Sequence, residues 1–286
     1  MLERRYNEAY KDSENLIGSE FDAVAGEYDA TFSRTAVGML LRQRVWALLS
    51  DGVTQSHPVT SVLELNCGTG EDAIWLVNQG FQVLATDASP KMVAIAKAKI
   101  ERAGLTEKAS FRVCSFAEIE QLPERDFDLI FSNFGGLNCV SPEELGRLGA
   151  VFAQKLKPGG IFIAVVMSRF CWWEILYFLL KLKPREAFRR FSKKPVEARL
   201  DTQTTISTWY YSPAEFQKHL QFNEMRSIVQ PIGFWLPPSY LNPFFDKRPS
   251  LLCFLNFLEM RFAPSWLAFA ADHYWVSMES PRDARP

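Results

Sequence analysis

The sequence has few of the residues on which metal sites and disulfide frameworks depend. It contains five cysteines and three histidines among 286 residues. The cysteines are odd in number and scattered, so we expect reduced, mostly buried thiols and no metal site. They are Cys67, Cys114, Cys139, Cys171 and Cys253.

The sequence also lacks an excess of charge of either sign. Its 32 lysines and arginines balance 33 aspartates and glutamates, for a formal net charge of -1. No global basic field would attract nucleic acid or anionic lipid, so we expect no nucleic-acid partner, and any such affinity must be local. The N-terminus mixes acids and bases and has no apolar core of signal-peptide length, which predicts a cytoplasmic protein.

A long apolar run free of charge is absent as well. The most apolar stretch, IFIAVVMSRFCWWEILYFLL at 161–180, has Arg169 and Glu174 in its middle. A bilayer span needs about 20 apolar residues and tolerates central charges poorly. We therefore interpret this stretch as a buried strand followed by an amphipathic helix.

Helical and strand-like apolar periods alternate over the first 170 residues. We predict helices at 34–49, 71–79, 90–103 and 141–156, and strands at 62–65, 82–86, 111–114, 129–131 and 161–166. Ser89 is a predicted N-cap, and Ser141 opens a predicted capping box with Glu144. Five short strands separated by helices are typical of a doubly wound parallel sheet, which binds its ligand at the carboxyl ends of the strands.

The alternation fails beyond Met167. A basic segment at 181–199 follows an aromatic one, Ser212 opens a further capping box, and closing strands are predicted at 223–235 and 271–278. We divide the chain into an N-terminal extension at 1–20, a core at 21–168, an insertion at 169–208 and a C-terminal part at 209–286 that completes the sheet.

The stretch ELNCGTGED at 64–72 lies at the predicted junction of a strand and a helix. Gly68, Gly70 and Ala73 satisfy G-x-G-x-x-A, and Asp87 closes the next strand, so an NAD(P)-dependent oxidoreductase is one candidate. Glu64, however, places a carboxylate where a pyrophosphate would lie. A negative charge there favours a cationic ligand.

Five motifs occur in order between Phe21 and Val166. They are FDAVAGEYD at 21–29, LELNCGTG at 63–70, ATDASPKM at 85–92, FDLI at 127–130 and LKPGG at 156–160. Together they resemble class I S-adenosylmethionine-dependent methyltransferases of the group related to ubiquinone-biosynthesis enzymes. The resemblance implies a Rossmann-like, seven-stranded, mostly parallel sheet with an antiparallel last strand and a helical, aromatic lid after the fifth strand. It also implies S-adenosylmethionine as cofactor and S-adenosylhomocysteine as product.

The resemblance further implies a role for each matching residue. Backbone at 64–70 should wrap the methionine part, Asp87 should accept hydrogen bonds from both ribose hydroxyls, and Met92 should pack under the adenine. Ser115 stands where many relatives carry an acid for the adenine amino group. The implied cofactor-binding set is Tyr28, Glu64, Asn66, Cys67, Gly68, Gly70, Asp87, Ala88, Met92, Ser115, Phe116, Asn133 and Phe134.

Several of these residues have a plain structural alternative. Tyr28 and Met92 also suit ordinary core packing, and Asn133 and Phe134 also suit a simple turn. His273 is a candidate base facing the site, or a structural histidine. His57 and His219 are expected at the surface.

The methyl acceptor has no clear signature. SNFG at 132–135 replaces the N/D-P-P-Y signature of amino methyltransferases, so the aromatic-rich C-terminal third favours a small apolar or aromatic acceptor methylated on oxygen or carbon. The basic segment at 181–199 is a solvated face, a lid over the substrate or a foot on a membrane surface, with lipid contact through 170–199. A non-catalytic methyltransferase-like binding module is the remaining alternative.

Overall fold

The computed structural model of the chain describes residue 18 and residues 20–56, 59–201, 204–222 and 226–280. Most of the predicted N-terminal extension lies outside the described residues, as does His57. No helix in the described ranges is long and apolar enough to span a membrane.

One seven-stranded sheet organises the chain, with strand order β3-β2-β1-β4-β5-β9-β8. Its strands are β1 Ser61–Leu65, β2 Gln82–Asp87, β3 Ala109–Val113, β4 Phe127–Ser132, β5 Leu156–Met167, β8 Arg226–Ile232 and β9 His273–Glu279. The first five strands pair in parallel, and β9 runs antiparallel between β5 and β8. The predicted sheet with its antiparallel last strand is confirmed.

Helices cover both faces of this sheet. The α-helices are α1 Ala36–Ser56, α2 Glu71–Asn78, α3 Pro90–Arg102, α4 Pro142–Lys155, α5 Trp172–Leu180, α6 Pro184–Ala187, α7 Pro213–Leu220, α8 Asn242–Phe245 and α9 Pro249–Arg261. Short turns of other helix types occur at Asp29–Ser33, Thr106–Lys108, Phe116–Gln121, Gly136–Cys139, Arg189–Phe191, Ser239–Leu241 and Ser265–Ala270. Buried side chains of α1, α2, α3 and α9 share one core cluster, and those of α4 and α7 share the other.

The predicted caps begin the helices as expected. The Ser89 hydroxyl accepts the N–H of Met92 at 3.1 Å at the start of α3. In α4, Ser141 and Glu144 bond each other's backbone N–H groups, and Ser212 and Glu215 do the same in α7. These bonds provide acceptors for backbone N–H groups of the first turn that have no partner within the helix. Because the paired residues are only three positions apart, short sequence patterns were enough to place the helix starts.

The fifth strand is longer than predicted. It begins at Leu156, which pairs with Phe127, whereas Ile161 already pairs with Leu129. The residues between them loop out of the ladder, and Gly159 takes a φ of 75° there. Most of the LKPGG motif therefore forms a bulge inside the strand.

The segment between β5 and α7 is not purely helical. After α5 and α6 it forms an antiparallel hairpin of β6 Val196–Arg199 and β7 Thr205–Thr208. The predicted strand-then-helix reading of 161–180 is confirmed by β5 and α5. Glu174, one of the two charges in that stretch, is 1% exposed and paired with Arg189 and Arg190.

Candidate cofactor and acceptor site

A cavity of about 460 Å³ opens at the carboxyl ends of the parallel strands. We call one part the nucleotide half; its walls include Tyr28, Asn66, Cys67, Gly68, Asp87, Ala88, Met92, Ser115 and Phe116. The other part is the acceptor half; its walls include Met167, Leu200, Ile206, Tyr210, Tyr240 and His273. Asn133 and Phe134 also line the cavity.

Glycine is required at two positions of the loop after β1, for a different reason at each. Both have positive φ, 53° at Gly68 and 83° at Gly70. A Cβ on Gly68 would meet only the Tyr28 ring, at 4.0 Å, so the free space beside it belongs to the cavity. A Cβ on Gly70 would come within 2.8 Å of the Ala96 Cβ on α3. Gly70 is outside the cavity lining of the described chain, and its close neighbour is a helix rather than a ligand.

Asp87 stands at the end of β2, with its carboxylate already oriented. One oxygen accepts the N–H of Gly68 at 2.8 Å, and the other accepts the N–H of Ser89 at 2.9 Å. Each oxygen retains a lone pair for a further donor. Two fixed acceptors on the cavity wall match a pair of neighbouring hydroxyls.

The N-terminal motif packs against the glycine loop and α3 through two aspartates, Asp22 and Asp29. The sequence alone indicated no role for either. Asp22 accepts the N–H of Lys91 at 2.9 Å, at the start of α3. Asp29 accepts the Thr69 hydroxyl at 2.6 Å and pairs with Lys99 at 2.5 Å. We call these contacts of Asp22 and Asp29 the N-terminal clasp. Both aspartates belong to the FDAVAGEYD motif, but their partners lie 40 and 69 residues away in the sequence.

Asp72 is the central residue of a buried polar cluster next to the glycine loop. It is ion-paired with Arg42, accepts the indole N–H of Trp46 at 2.7 Å and accepts the Asn133 amide at 2.9 Å. The Arg42 guanidinium in turn lies 5.0 Å from the centre of the Phe134 ring. This cluster fixes the end of β4, where Asn133 and Phe134 face the cavity.

Glu64 lies behind the cavity wall rather than on it. It is 1% exposed, and its Oε2 has no hydrogen-bond partner among the described residues. Burial, with a contribution from Asp72, raises the pKa of Glu64 well above its usual range. A cationic group entering the nucleotide half would lower this pKa, since an opposite charge favours the ionised carboxylate.

Ser115 does not present a free hydroxyl. Its Oγ donates to Glu118 at 3.0 Å, and its N–H donates to the same carboxylate at 2.9 Å. Ser115 therefore begins a short helix, and its contribution to the wall is mainly steric. Met92 is 1% exposed at the floor of the nucleotide half.

A buried charge network forms part of the wall of the acceptor half. The Arg190 guanidinium bonds Glu174 at 2.7 Å and Asp272 at 2.7 Å, with carbonyls of Ser168 and Asp272 taking the remaining directions. His273 Nδ1 lies 3.2 Å from Asp272 Oδ2. Burial alone would raise the pKa of Asp272, but His273 and Arg190 outweigh it and hold the pKa well below its usual range.

Aromatic rings wall the space between the two halves. The Phe134 ring meets Phe32 edge-on at 5.1 Å and His273 edge-on at 5.7 Å. Arg190 lies 4.9 Å from the centre of the Tyr210 ring. The acceptor half thus combines apolar and aromatic walls, including two tyrosines, with His273 and several charged side chains: Glu174, Arg189, Arg190, Arg199 and Asp272.

The fold and this cavity define a doubly wound α/β protein that binds a nucleoside-containing cation. The open cradle beside Gly68, the paired acceptors of Asp87 and the unpartnered oxygen of Glu64 fit S-adenosylmethionine. They fit a dinucleotide poorly, because Arg42 is already paired with Asp72 and a pyrophosphate would meet the Asp87 carboxylate without a free cation of the described cluster to offset it.

Comparisons with known proteins point to the same class. A family model described as "Methyltransferase domain" matches residues 62–160. The chain is 30% identical over 232 residues to a ubiquinone/menaquinone biosynthesis C-methyltransferase of Xanthomonas axonopodis pv. citri, covering 79% of this chain and 85% of the relative.

Solved structures share the fold. A complex named DhpI-SAM-HEP is 20% identical, covers 94% of this chain and 97% of its own, and has a TM-score of 0.58. A [4+2]-cyclase, SpnF, is 16% identical, covers 94% and 97%, and has a TM-score of 0.61.

The chain belongs to the class I S-adenosylmethionine-dependent methyltransferases. It is a transferase whose cofactor is S-adenosylmethionine, and the nicotinamide alternative raised by the glycine loop is wrong.

Proposed function

We propose that this enzyme transfers the methyl group of S-adenosylmethionine to oxygen or carbon of a small aromatic, hydroxyl-bearing acceptor. The observation that carries the proposal is the single cavity in which a cofactor-like half joins an aromatic half ending at His273. Relatives named as ubiquinone/menaquinone C-methyltransferases support an aromatic acceptor. The likeness to SpnF adds no support for a particular acceptor, since that protein is named as a cyclase.

The nucleotide half would hold the cofactor through a few defined contacts. Asp87 would accept both ribose hydroxyls, Met92 would pack under the adenine, and backbone at 66–69 would surround the methionine part. Glu64, from behind the wall, would contribute charge rather than a direct contact. When bound, S-adenosylmethionine supplies an electrophilic methyl group.

His273 would act as the general base. It lines the acceptor half, and Asp272 next to it stabilises the imidazolium that forms when His273 takes the proton of the acceptor hydroxyl. A more electron-rich acceptor oxygen or ring carbon then faces the methyl group. Phe134 and Tyr240 would hold the acceptor ring and exclude water.

The segment at 169–208 would act as the lid over this half. Several of its residues line the cavity, although they come from a turn and a hairpin, whereas the resemblance implied a helical, aromatic lid: Arg189, Arg199, Leu200, Ile206 and Thr208. The hairpin covers the acceptor, whereas the N-terminal clasp covers the cofactor.

The test is methyl transfer from isotope-labelled S-adenosylmethionine to a panel of soluble acceptors. The panel contains naphthohydroquinones, catechols, short prenylated phenols, aliphatic carboxylates and amines. Labelled product from the hydroxyaromatic compounds is expected. Transfer confined to aliphatic carboxylates or amines would contradict the proposal, because neither class has a hydroxyl for His273 to deprotonate or a ring for the aromatic walls to hold.

The affinity for S-adenosylhomocysteine should depend on the protonation of Asp87. Burial raises the pKa of Asp87 to about 6, against the opposing N–H bonds of Ser89 and Gly68. The ribose hydroxyls need the ionised carboxylate, so the affinity should be constant above about pH 7 and fall towards tenfold per pH unit below about pH 6. Calorimetric titration from about pH 5 to pH 8 measures this, with Asp87→Asn expected to be weak and flat over that range. A flat wild-type profile would rule out this role for the carboxylate.

Alanine at the two loop glycines should separate binding from stability. Both substitutions force a side chain into a left-handed conformation, at a cost of about 1 to 2 kcal/mol. Gly70→Ala additionally collides with Ala96 and should lower the free energy of unfolding by roughly 1 to 3 kcal/mol more. Gly68→Ala should mainly weaken cofactor binding. Denaturant unfolding and calorimetry together check this, and an equal effect of both variants on stability would contradict the assignment.

A further inference from the structure

Helix α9 and the turn after it carry an apolar outer surface, which we call the aromatic face. Its side chains are between 41% and 69% exposed: Leu251, Phe254, Phe257, Met260, Phe262 and Trp266. Monomeric proteins rarely expose so many large apolar side chains in one stretch, and such patches usually mark an interaction site.

The orientation of α9 cannot be changed to bury this face. Its inner side is held by Glu259, which accepts the backbone N–H groups of Gly233 at 2.8 Å and Trp235 at 2.7 Å. Leu252, on the same side, is buried in the core. Rotating the helix would leave a buried carboxylate and two backbone donors unpaired, which is strongly unfavourable.

The turn after α9 contacts the insertion through a chain of ring contacts. Phe269, in that turn, lies 5.8 Å from Phe170, Phe170 lies 6.0 Å from Phe191, and Phe191 lies 6.0 Å from Phe188. The insertion carries exposed leucines of its own on α5 and the next turn: Leu176, Leu179, Leu180 and Leu182. Both segments therefore expose apolar side chains, and they pack against each other through these rings.

Both segments also carry basic side chains. Those that are exposed include Lys181, Lys183, Arg185, Lys193, Lys194 and Arg261. The acids Glu174 and Glu259, from the same helices, are buried and bonded. Within 181–199 the exposed lysines and arginines outnumber the two acids, Glu186 and Glu197. Apolar residues bordered by lysine and arginine are the composition of helices that lie at a membrane interface.

We propose that the aromatic face docks on the surface of an anionic lipid bilayer. The rings would enter the boundary between headgroups and acyl chains, and the lysines and arginines would meet the lipid phosphates. Tyr240 lines the acceptor half and also packs against Tyr177 of α5 at 5.8 Å, so the acceptor half adjoins the helix that carries the exposed leucines. The inference is independent of the acceptor, because lipid binding needs no turnover.

Sedimentation with lipid vesicles tests this docking. The purified chain is mixed with vesicles of phosphatidylcholine alone, or of phosphatidylcholine with about 30% phosphatidylglycerol. We expect binding to the anionic vesicles and weaker binding to the neutral ones. Phe254→Ser with Phe257→Ser, and separately Lys193→Glu with Lys194→Glu, should each lower the partition coefficient at least about tenfold.

The matched control replaces two exposed apolar residues on the edge strands of the sheet. Val113→Ser with Ile228→Ser removes similar side chains outside the aromatic face and should leave vesicle binding unchanged. All variants should keep the wild-type affinity for S-adenosylhomocysteine and the wild-type melting temperature, which separates lipid binding from the methyl-transfer proposal.

Two results would overturn the inference. Binding that is absent, or that the phenylalanine variant leaves unchanged, would show that the face does not meet lipid. A dimer in analytical ultracentrifugation that the phenylalanine variant dissociates, together with no vesicle binding, would assign the face to a second copy of the chain.

Discussion

Replacing Asp87 with alanine is expected to abolish measurable binding of S-adenosylhomocysteine. Among the described residues that line the nucleotide half, this carboxylate alone has both oxygens oriented by backbone N–H groups, from Gly68 and Ser89. Hydrogen bonds to a charged acceptor contribute about 1.5 to 3 kcal/mol each, so the loss of two corresponds to roughly a hundredfold to ten-thousandfold in affinity. Calorimetric titration of wild type and variant measures the difference.

Loss of binding in Asp87→Ala must be distinguished from loss of folding. Asp87 helps to hold the loop and the start of α3, so the melting temperature of each variant must be measured alongside binding. Asp87→Asn keeps the shape and one acceptor, and should bind more weakly than wild type while unfolding at a similar temperature. Glu101→Ala removes an exposed carboxylate of α3 and should change neither property. Affinity within about threefold of wild type in a folded Asp87→Ala protein would show that the ribose is held elsewhere.

Replacing His273 with alanine is expected to lower kcat by about a hundredfold to ten-thousandfold while the affinity for S-adenosylhomocysteine stays the same. The base acts on the acceptor, and His273 lies in the acceptor half, across Phe134 from the glycine loop. Steady-state kinetics with the best hydroxyaromatic acceptor of the panel, together with calorimetry, separate the two effects.

The pH profile distinguishes chemistry from a structural role. If His273 takes the proton, the loss in His273→Ala should shrink as the pH approaches the pKa of the acceptor hydroxyl, because the acceptor then ionises without help. His219→Ala, a histidine on α7 that does not line the cavity of the described chain, serves as the matched control. A loss of kcat that is independent of pH, or that is accompanied by weaker cofactor binding, would indicate that His273 only supports the wall.

Local patterns explain why much of the nucleotide half could be predicted. Asp87, Gly68 and Met92 lie within 25 residues of one another on consecutive strands, turns and helices, and their motifs depend on neighbouring residues. The same holds for the capping boxes at Ser141 and Ser212. The glycines illustrate the limit of this reasoning, since the sequence indicates that Gly70 cannot have a side chain but does not reveal that Ala96 is the reason.

Other features depended on contacts between distant parts of the chain. Arg42, Asp72 and Asn133 meet only when α1, α2 and β4 are packed, and Arg190 reaches Asp272 across 82 residues. The sequence did not predict the aromatic face. Helix α9 has apolar residues on both its buried and its exposed side, and the bonds of Glu259 to the backbone of Gly233 and Trp235 determine which side is buried.

The sequence by itself determined the class of this protein: the strands, the glycine loop and the aspartate that ends β2 follow from short-range patterns of hydrophobicity, backbone freedom and charge. The tertiary structure alone decided which residues line the acceptor half and which surface stays exposed. Those features depend on side chains brought together by packing, and no local interaction encodes which distant partner each will meet.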